Sequence, residues 1–315
     1  MRLFALTLAL HLASALAQPW PAKPLKLVTP FPPGGSADVI ARLIGQRLAQ
    51  NLGQPVVIDN RPGAGGVVGN EYTAKQPPDG YTLLLITGAY PVQAAMLKSL
   101  PFDPLVDIAM LSLLTTYPFV ISVRADSPFR TLGELIAYAK AHPGKLNYPS
   151  SGVGTVHHLS GELLNAMAGI EMVHVPFRGG ASPLTEVLGG RVDLLLEAMT
   201  LSIGQIQSGK LRALAVTSPE RWKALPDVPT VADTVPGYEV NSFIGLGTTG
   251  RTPAPLVERL NAEVRKALAD PTTHQRFVEL GGAPAASTPG EMRAFVEHEI
   301  AKWKRVIRLR KIEQQ

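Results

Sequence analysis

Strands alternate with helices from residue 25 to 87, the pattern breaks off, and it starts again after residue 130. In the first stretch, short apolar runs at 25–29, 55–59 and 81–87 read as buried strands. Between the first two, Ile40, Leu43, Ile44, Leu48 and Leu52 recur at helical spacing, and Gly53 closes that helix. A small-residue helix near 69–75 and the turn Pro77-Pro78-Asp79-Gly80 lead into the third strand. Consecutive parallel strands need a crossover helix, so this order implies a parallel sheet with helices on its faces. The second stretch predicts helices at 131–141, 155–168, 183–188 and 201–208. Its strands fall at 145–148, 171–175, 191–196 and 211–216. The chain therefore holds two α/β units.

Two extended segments, 117–124 and 238–247, bracket the second unit. Beyond the latter come only helices, at 253–268, 271–280 and 289–310. Helices without strands build no further α/β unit, so the economical arrangement returns them to the first one. The expectation is an α/β, two-lobed fold in which residues 18–120 and 241–315 form lobe 1 and residues 121–240 form lobe 2. The extended segments are then crossovers at a hinge. Ligands of open parallel sheets bind beyond the carboxyl ends of the strands, where loops of both lobes would meet.

The N-terminus is a separate device. Arg2 precedes an uncharged apolar run from Leu3 to Leu16, and Ala15-Leu16-Ala17 supplies a small-x-small end. That is the pattern of a secretory leader cleaved after Ala17, too short to span about 30 Å of hydrocarbon. The expected product is therefore exported. Composition narrows the function classes. With no cysteine in 315 residues, thiolate nucleophiles, iron–sulfur clusters and cysteine zinc sites are excluded. The net charge of +5 is modest and the aromatic content is 6%, which leaves little for a nucleic-acid surface. The cations at Lys302, Lys304, Arg305, Arg308, Arg310 and Lys311 read as the end of a final helix, offsetting its dipole.

Two loops stand out. Pro30-Phe31-Pro32-Pro33-Gly34-Gly35-Ser36, followed by Asp38, links a strand end to a helix start. Its glycines allow close backbone approach, and Ser36 suits an N-cap. Asp38 reads as first-turn support for the helix. Ser150-Ser151-Gly152-Val153-Gly154-Thr155 repeats the same logic in the second unit. A helix N-terminus offers unpaired N–H groups and the positive end of a dipole, which suit an anion. Either loop alone reads equally as a capped turn with nothing bound. As a pair, one in each unit, they could grip an anion from both sides of a cleft.

Other candidates are more open. Arg178, in Pro176-Phe177-Arg178-Gly179-Gly180, could pair with a carboxylate or be a surface arginine. Glu197, ending an apolar strand, could accept a ligand hydroxyl or amine, or cap the next helix. His157 and His158 are adjacent, about 100° apart on a helix, so they lack the spacing a metal prefers. His158 reads as a packing or hydrogen-bonding residue near the second loop. No dinucleotide or P-loop glycine pattern is complete, and no G-x-S-x-G, S-x-x-K or H-E-x-x-H occurs. An exported enzyme would have to draw on Glu197, His158 and Ser151.

These residues carry a family resemblance. Lys23-Pro24-Leu25 through Pro30-Phe31-Pro32-Pro33-Gly34-Gly35 and Asp38 resembles the opening of the Bug (TctC-like) solute-binding proteins, receptors of tripartite tricarboxylate transporters. Further matching segments follow in order: Asn60-Arg61-Pro62-Gly63-Ala64-Gly65-Gly66, Pro78-Asp79-Gly80-Tyr81, Ser151-Gly152-x-Gly154-Thr155, His174-Val175-Pro176-Phe177, Gly209-Lys210-Leu211-Arg212 and Leu225-Pro226-Asp227-Val228-Pro229. The ordered set spans nearly the whole chain after the leader. Departures occur at Phe243, Thr248-Thr249-Gly250 and Asp107-Ile108-Ala109.

The resemblance implies a two-lobed, flytrap-like periplasmic binding protein for a small organic carboxylate, working with membrane transporter subunits. It implies no catalysis. By position, Phe31, Pro33, Gly34, Gly35 and Ser36 would form one side of the carboxylate site. Ser150, Ser151, Gly152, Gly154, Thr155 and His158 would form the other. Thr87, Tyr90, Arg178 and Glu197 would line the variable part. The remaining expectations are no cofactor, no metal, no nucleic acid and a monomer. A receptor that hands its ligand to a sensor protein is the other binding class.

Overall fold

The computed structural model describes residues 20–179, 181–310 and 312–314. The proposed leader lies outside them. Strand β1 (Leu25–Thr29), helix α1 (Ser36–Leu52), β2 (Val56–Asn60), α2 (Val67–Ala74) and β3 (Thr82–Thr87) follow in order. β1 is the middle strand of the three and pairs in parallel with both β2 and β3. α1 buries Ile40, Ile44 and Leu48, the i, i+4 stripe that its sequence announces. Gly53 ends it in the left-handed region at φ 66°. A helix α3 (Ala89–Met96) that periodicity did not indicate follows β3 at once. Its Pro91 falls in the first turn, where a missing N–H costs nothing.

β4 (Ile108–Arg124) joins the lobes. Seventeen residues in extended form reach about 55 Å, enough to leave one sheet and enter another. Ile108 to Pro118 pairs antiparallel with β9 (Asn241–Thr249), which in turn pairs with β3. Phe119 to Arg124 pairs instead with β7 (Leu194–Ala198) and β8 (Leu211–Val216). The sequence reading had only the second half of this strand, because Ser112, Thr115 and Thr116 interrupt the apolar run of the first half.

Between β4 and β8 lie α4 (Leu132–Ala141), β5 (Asn147–Ser150), α5 (Val156–Ala168), β6 (Val173–Pro176), α6 (Ser182–Leu188), β7 and α7 (Met199–Gln207). A Thr131–Glu134 capping box starts α4. β5 and β6 are parallel. Asn147 and Asp193 exchange side-chain-to-backbone hydrogen bonds at 2.8 and 3.1 Å, tying β5 to the start of β7. Gly161 on α5 makes room for the Tyr148 ring, which a Cβ there would overlap.

After β9 come α8 (Ala254–Ala269), α9 (Pro271–Glu279), β10 (Ala283–Pro284) and α10 (Pro289–Arg310). α8 packs on β4 and α1, and α10 on α3 and β4. Leu260, Val264 and Ala267 form the buried stripe of α8. Asn261 fixes that helix by donating to the carbonyls of Leu111 and Ser287, both at 2.8 Å. Trp303, Met292 and Val296 anchor α10 in the core. No helix among the described residues is long and apolar enough to cross a membrane.

Candidate functional site

Four helices begin at one small cavity. α1 starts there after the loop 30–35, α3 after Gly88, α5 after the loop 150–155 and α7 after Glu197. The cavity measures about 50 Å³ and is lined by Phe31, Gly35, Ser36, Ala37, Thr87, Gly88, Ala89, Tyr117, Phe119, Ser151, Thr155, Val156, His157, Glu197, Ala198 and Ser242. A water molecule needs about 10–15 Å³ on this measure, so the space suits a carboxylate-sized group.

Each loop is braced from below. Asp38 is 4% exposed and accepts the Gly34 N–H at 3.1 Å, the Arg42 Nε–H at 2.9 Å and the Asn60 amide at 3.1 Å. Burial by itself would raise its pKa. The bonds from Arg42, Gly34 and Asn60 outweigh burial and hold the carboxyl below its usual value. Asn60 also donates to the Phe31 carbonyl at 2.9 Å, so the loop crest is pinned from two sides. Ser36 is not the N-cap. Gly35 is, at φ −90° and ψ 173°, with no side-chain cap, because the chain turns helical one residue earlier than the serine pattern suggests. The first-turn N–H groups of α1 therefore lack a capping side chain.

In the second loop, Thr155 is the N-cap of α5. Its Oγ1 donates to the Gly152 carbonyl at 2.7 Å and accepts the His158 N–H. Ser150 is turned inward: it accepts the Gly152 N–H at 3.0 Å and lies 2.6 Å from His174 Nε2. Gly152 and Gly154 have φ of 126° and 74°, which L side chains rarely adopt. They shape the loop without lining the cavity.

The lobes meet across the cleft. A Cβ on Gly65 would lie 3.2 Å from the Val153 carbonyl, and one on Gly179 3.3 Å from the Phe31 ring. Pro33 and Gly34 are on the exposed crest, where a Cβ on Gly34 would stand 3.9 Å from Ala181 Cβ. Gln93 donates to the Gly65 carbonyl and accepts from Asn70, which holds the 63–66 loop against the first lobe.

Of the residues singled out by sequence, Phe31, Gly35, Ser36, Thr87, Ser151, Thr155 and Glu197 come together at the cavity. Pro33, Gly34, Ser150, Gly152 and Gly154 belong to the two loops but do not line it, and neither do Tyr90, Arg178 and His158. Tyr90 is 2% exposed, but α3 turns it into the core, where its hydroxyl donates to the Pro104 carbonyl at 2.7 Å and its ring packs on Phe102. Arg178 is exposed. His158 points the other way and stacks on His174 with ring centroids 4.2 Å apart. Burial lowers its pKa against the pull of Glu162, and its Nδ1 lies 3.3 Å from the Gly154 N–H.

Its neighbour His157 lines the cavity instead. Helical side chains lean toward the N-terminus, so a residue in the first turn of α5 hangs over the preceding loop. His157 Nε2 is 2.8 Å from Glu197 Oε1, and the ring meets Phe119 edge-on at 4.8 Å. Tyr117 and Ser242, paired across β4 and β9, close the floor. Burial raises the Tyr117 phenol's pKa despite its bond with Ser242.

No Lys or Arg lines the cavity, so the positive potential that four helix N-termini bring to it is set against the one buried carboxylate of Glu197. Each helix N-terminus carries about half a positive charge. A larger groove of about 1400 Å³ shares only Tyr117 and Ser242 with the cavity. In its walls Glu220, Glu239, Glu279 and Glu299 balance Arg221, Lys223, Lys302 and Arg305, so it has no such bias. Among the described residues, no group of three or more His, Asp or Glu side chains is placed to hold a metal ion.

A model of the tripartite tricarboxylate transporter family receptor matches residues 40–312. The chain belongs to this TctC receptor family. BugT of Bordetella pertussis is 35% identical over 299 residues, which cover 94% of this chain and 92% of BugT. A Rhodopseudomonas palustris protein solved with adipate is 36% identical with a TM-score of 0.90, over 94% of this chain and 99% of that one. MatC from the same species, with bound malate, is 32% identical with a TM-score of 0.86, over 91% and 100%. TctC proteins are solute-binding receptors rather than enzymes, and their two-lobed α/β architecture is the one read from the strand–helix alternation.

Proposed function

We propose that this chain is a periplasmic receptor that takes a small organic carboxylate into the cavity between its lobes. It would then deliver the ligand to the membrane subunits of a tripartite tricarboxylate transporter. The observation that carries this reading is the convergence of four helix N-termini on one cavity of carboxylate size. The N–H groups of Ser36 and Ala37 and the Ser36 and Ser151 hydroxyls would grip one carboxylate. Adipate and malate in two relatives support the ligand class.

The lobes would comprise residues 18–120 with 241–315, and 121–240, with the leader removed after Ala17 and the product a monomer. Ligand reaching the cavity would hold the lobes together, because its contacts come from both.

The test is a thermal-shift screen of purified protein over mono-, di- and tricarboxylates, neutral sugars and amines. Ligand at about 100 times its Kd stabilises by about 2.7 kcal/mol. For a chain of this size that raises Tm by about 5–10 °C. A carboxylate giving the largest shift is the expected result. A neutral sugar giving it would overturn the reading.

A further inference from the structure

His157 Nδ1 is buried and has no hydrogen-bond partner. The other ring nitrogen contacts Glu197, whose side chain is 3% exposed. Glu197 Oε1 also accepts the Ala198 N–H at 2.8 Å, so that oxygen is fixed. A carboxylate ligand entering this cavity meets a buried carboxylate of the same sign, with one imidazole between them. Like charges in a desolvated site repel strongly unless a proton intervenes. No Lys or Arg lines the cavity, and His157 is the one lining side chain, among the described residues, that can become a cation.

We propose that His157, braced by Glu197, is the ligand-contacting cation of this site, and that one proton is taken up with each carboxylate bound. This rests on the carboxylate reading above. The proton comes from solvent and adds to the imidazole. Nε2–H donates to Glu197, and Nδ1–H donates to a ligand oxygen. In the neutral ring, with Nε2–H held by Glu197, Nδ1 presents a lone pair that repels a carboxylate.

The titratable groups facing His157 are few. Glu197 comes from β7 and Tyr117 from β4. α1, β3 and β9 contribute only Ser36, Thr87 and Ser242. Tyr117 keeps its proton because burial raises its pKa. On α5 itself, His158 is turned toward His174, and burial keeps both rings neutral near pH 7.

The experiment is calorimetric titration with adipate, malate, succinate and glutarate at pH 6.5, 7.5 and 8.5, where such dicarboxylates stay ionised, in buffers of different ionisation enthalpy. For the best binder, Kd should weaken by about tenfold per pH unit at the alkaline end, with about one proton taken up. His157→Asn should flatten that slope to within about threefold over the whole range. Glu197→Gln should reduce the proton count. A wild-type Kd constant across the range, or a slope that survives His157→Asn, overturns the inference and leaves the receptor reading intact. If none of the four carboxylates binds at any pH, both fall together.

Discussion

The hydroxyl of Thr217 accepts the backbone N–H of Phe119 at 2.8 Å and donates to the carbonyl of Val240 at 2.5 Å. Its backbone repeats the embrace: Thr217 N–H donates to the Phe119 carbonyl and Val240 N–H to the Thr217 carbonyl. Phe119 lies where β4 changes sheets, and Val240 immediately precedes β9. One completely buried threonine therefore clasps both strands that run between the lobes.

Thr217→Val keeps the shape and removes the hydroxyl, leaving a buried N–H and a buried carbonyl unpaired. Each orphaned group costs about 1–3 kcal/mol. Thr217→Val should lose about 2–4 kcal/mol, or about 5–10 °C in Tm, while Thr217→Ser stays close to wild type. Thermal melts of the three proteins decide it. A Thr217→Val melt within about 2 °C of wild type would show that the clasp is not needed.

The two anion loops should respond differently to losing a hydroxyl. Thr155 caps α5, so Thr155→Ala should cost about 1 kcal/mol of stability. Ser36 caps nothing, so Ser36→Ala should change stability by less than about 0.5 kcal/mol. Ser36→Ala removes a donor at the cavity and should weaken binding of the best carboxylate by about 10- to 150-fold, the worth of a hydrogen bond to a charged group, whereas Thr155→Ala should act only through the loop it braces, because its one hydroxyl proton goes to the Gly152 carbonyl. Denaturant melts and calorimetry on the same preparations separate the effects. Equal Kd values in wild type and Ser36→Ala would remove that hydroxyl from the site.

These residues also mark how far the sequence carries. The stripe Ile40–Ile44–Leu48 and the terminating Gly53 located α1 because helical periodicity is a local property. The glycine loops were legible for the same reason: strand, glycine and helix start are adjacent in the chain. Which of two neighbouring histidines faces the cavity was not legible, because adjacent residues on a helix point about 100° apart and the packing of α5 against distant strands decides which one turns inward. Tyr90 was misjudged likewise, since α3 was not foreseen and its rotation decides the matter. Ser242 and Tyr117 reach the cavity through pairing of segments more than a hundred residues apart, and Phe119 through pairing with Ala198, which no local pattern records.

Closure itself can be blocked at Gly65. Its φ of 65° suits glycine, and an added Cβ would press on the Val153 carbonyl at 3.2 Å. Left-handed alanine costs about 1–2 kcal/mol, so Gly65→Ala should fold with a modest loss of stability. Its larger effect should be on binding, because the 63–66 loop abuts the second lobe only when the lobes are together. The expected result is a carboxylate Kd at least about tenfold weaker, equivalent to about 1.4 kcal/mol, with a larger radius of gyration in the presence of ligand. Wild-type affinity in Gly65→Ala would mean that this contact plays no part in closure.

Stability should also fall on acidification, through the stacked histidines behind the second loop. Burial, assisted by the neighbouring His158, lowers the His174 pKa to about 4. An unfolded histidine titrates near 6.5. Between these values the unfolded chain binds more protons than the folded one, so stability rises with pH across this window. The contribution is complete above about pH 6.5 and lost as pH falls to about 4, below which it no longer changes. Allowing for the partial exposure of the ring, it amounts to about 2–3 kcal/mol. His158, whose pKa is also lowered by burial, acts in the same direction. Wild-type Tm should therefore drop by about 5–10 °C between pH 7 and pH 4.5. His174→Gln, which retains a hydrogen-bonding partner for Ser150 but cannot titrate, should show a distinctly shallower decline over the same interval. Parallel curves for the two proteins would place the acid sensitivity elsewhere.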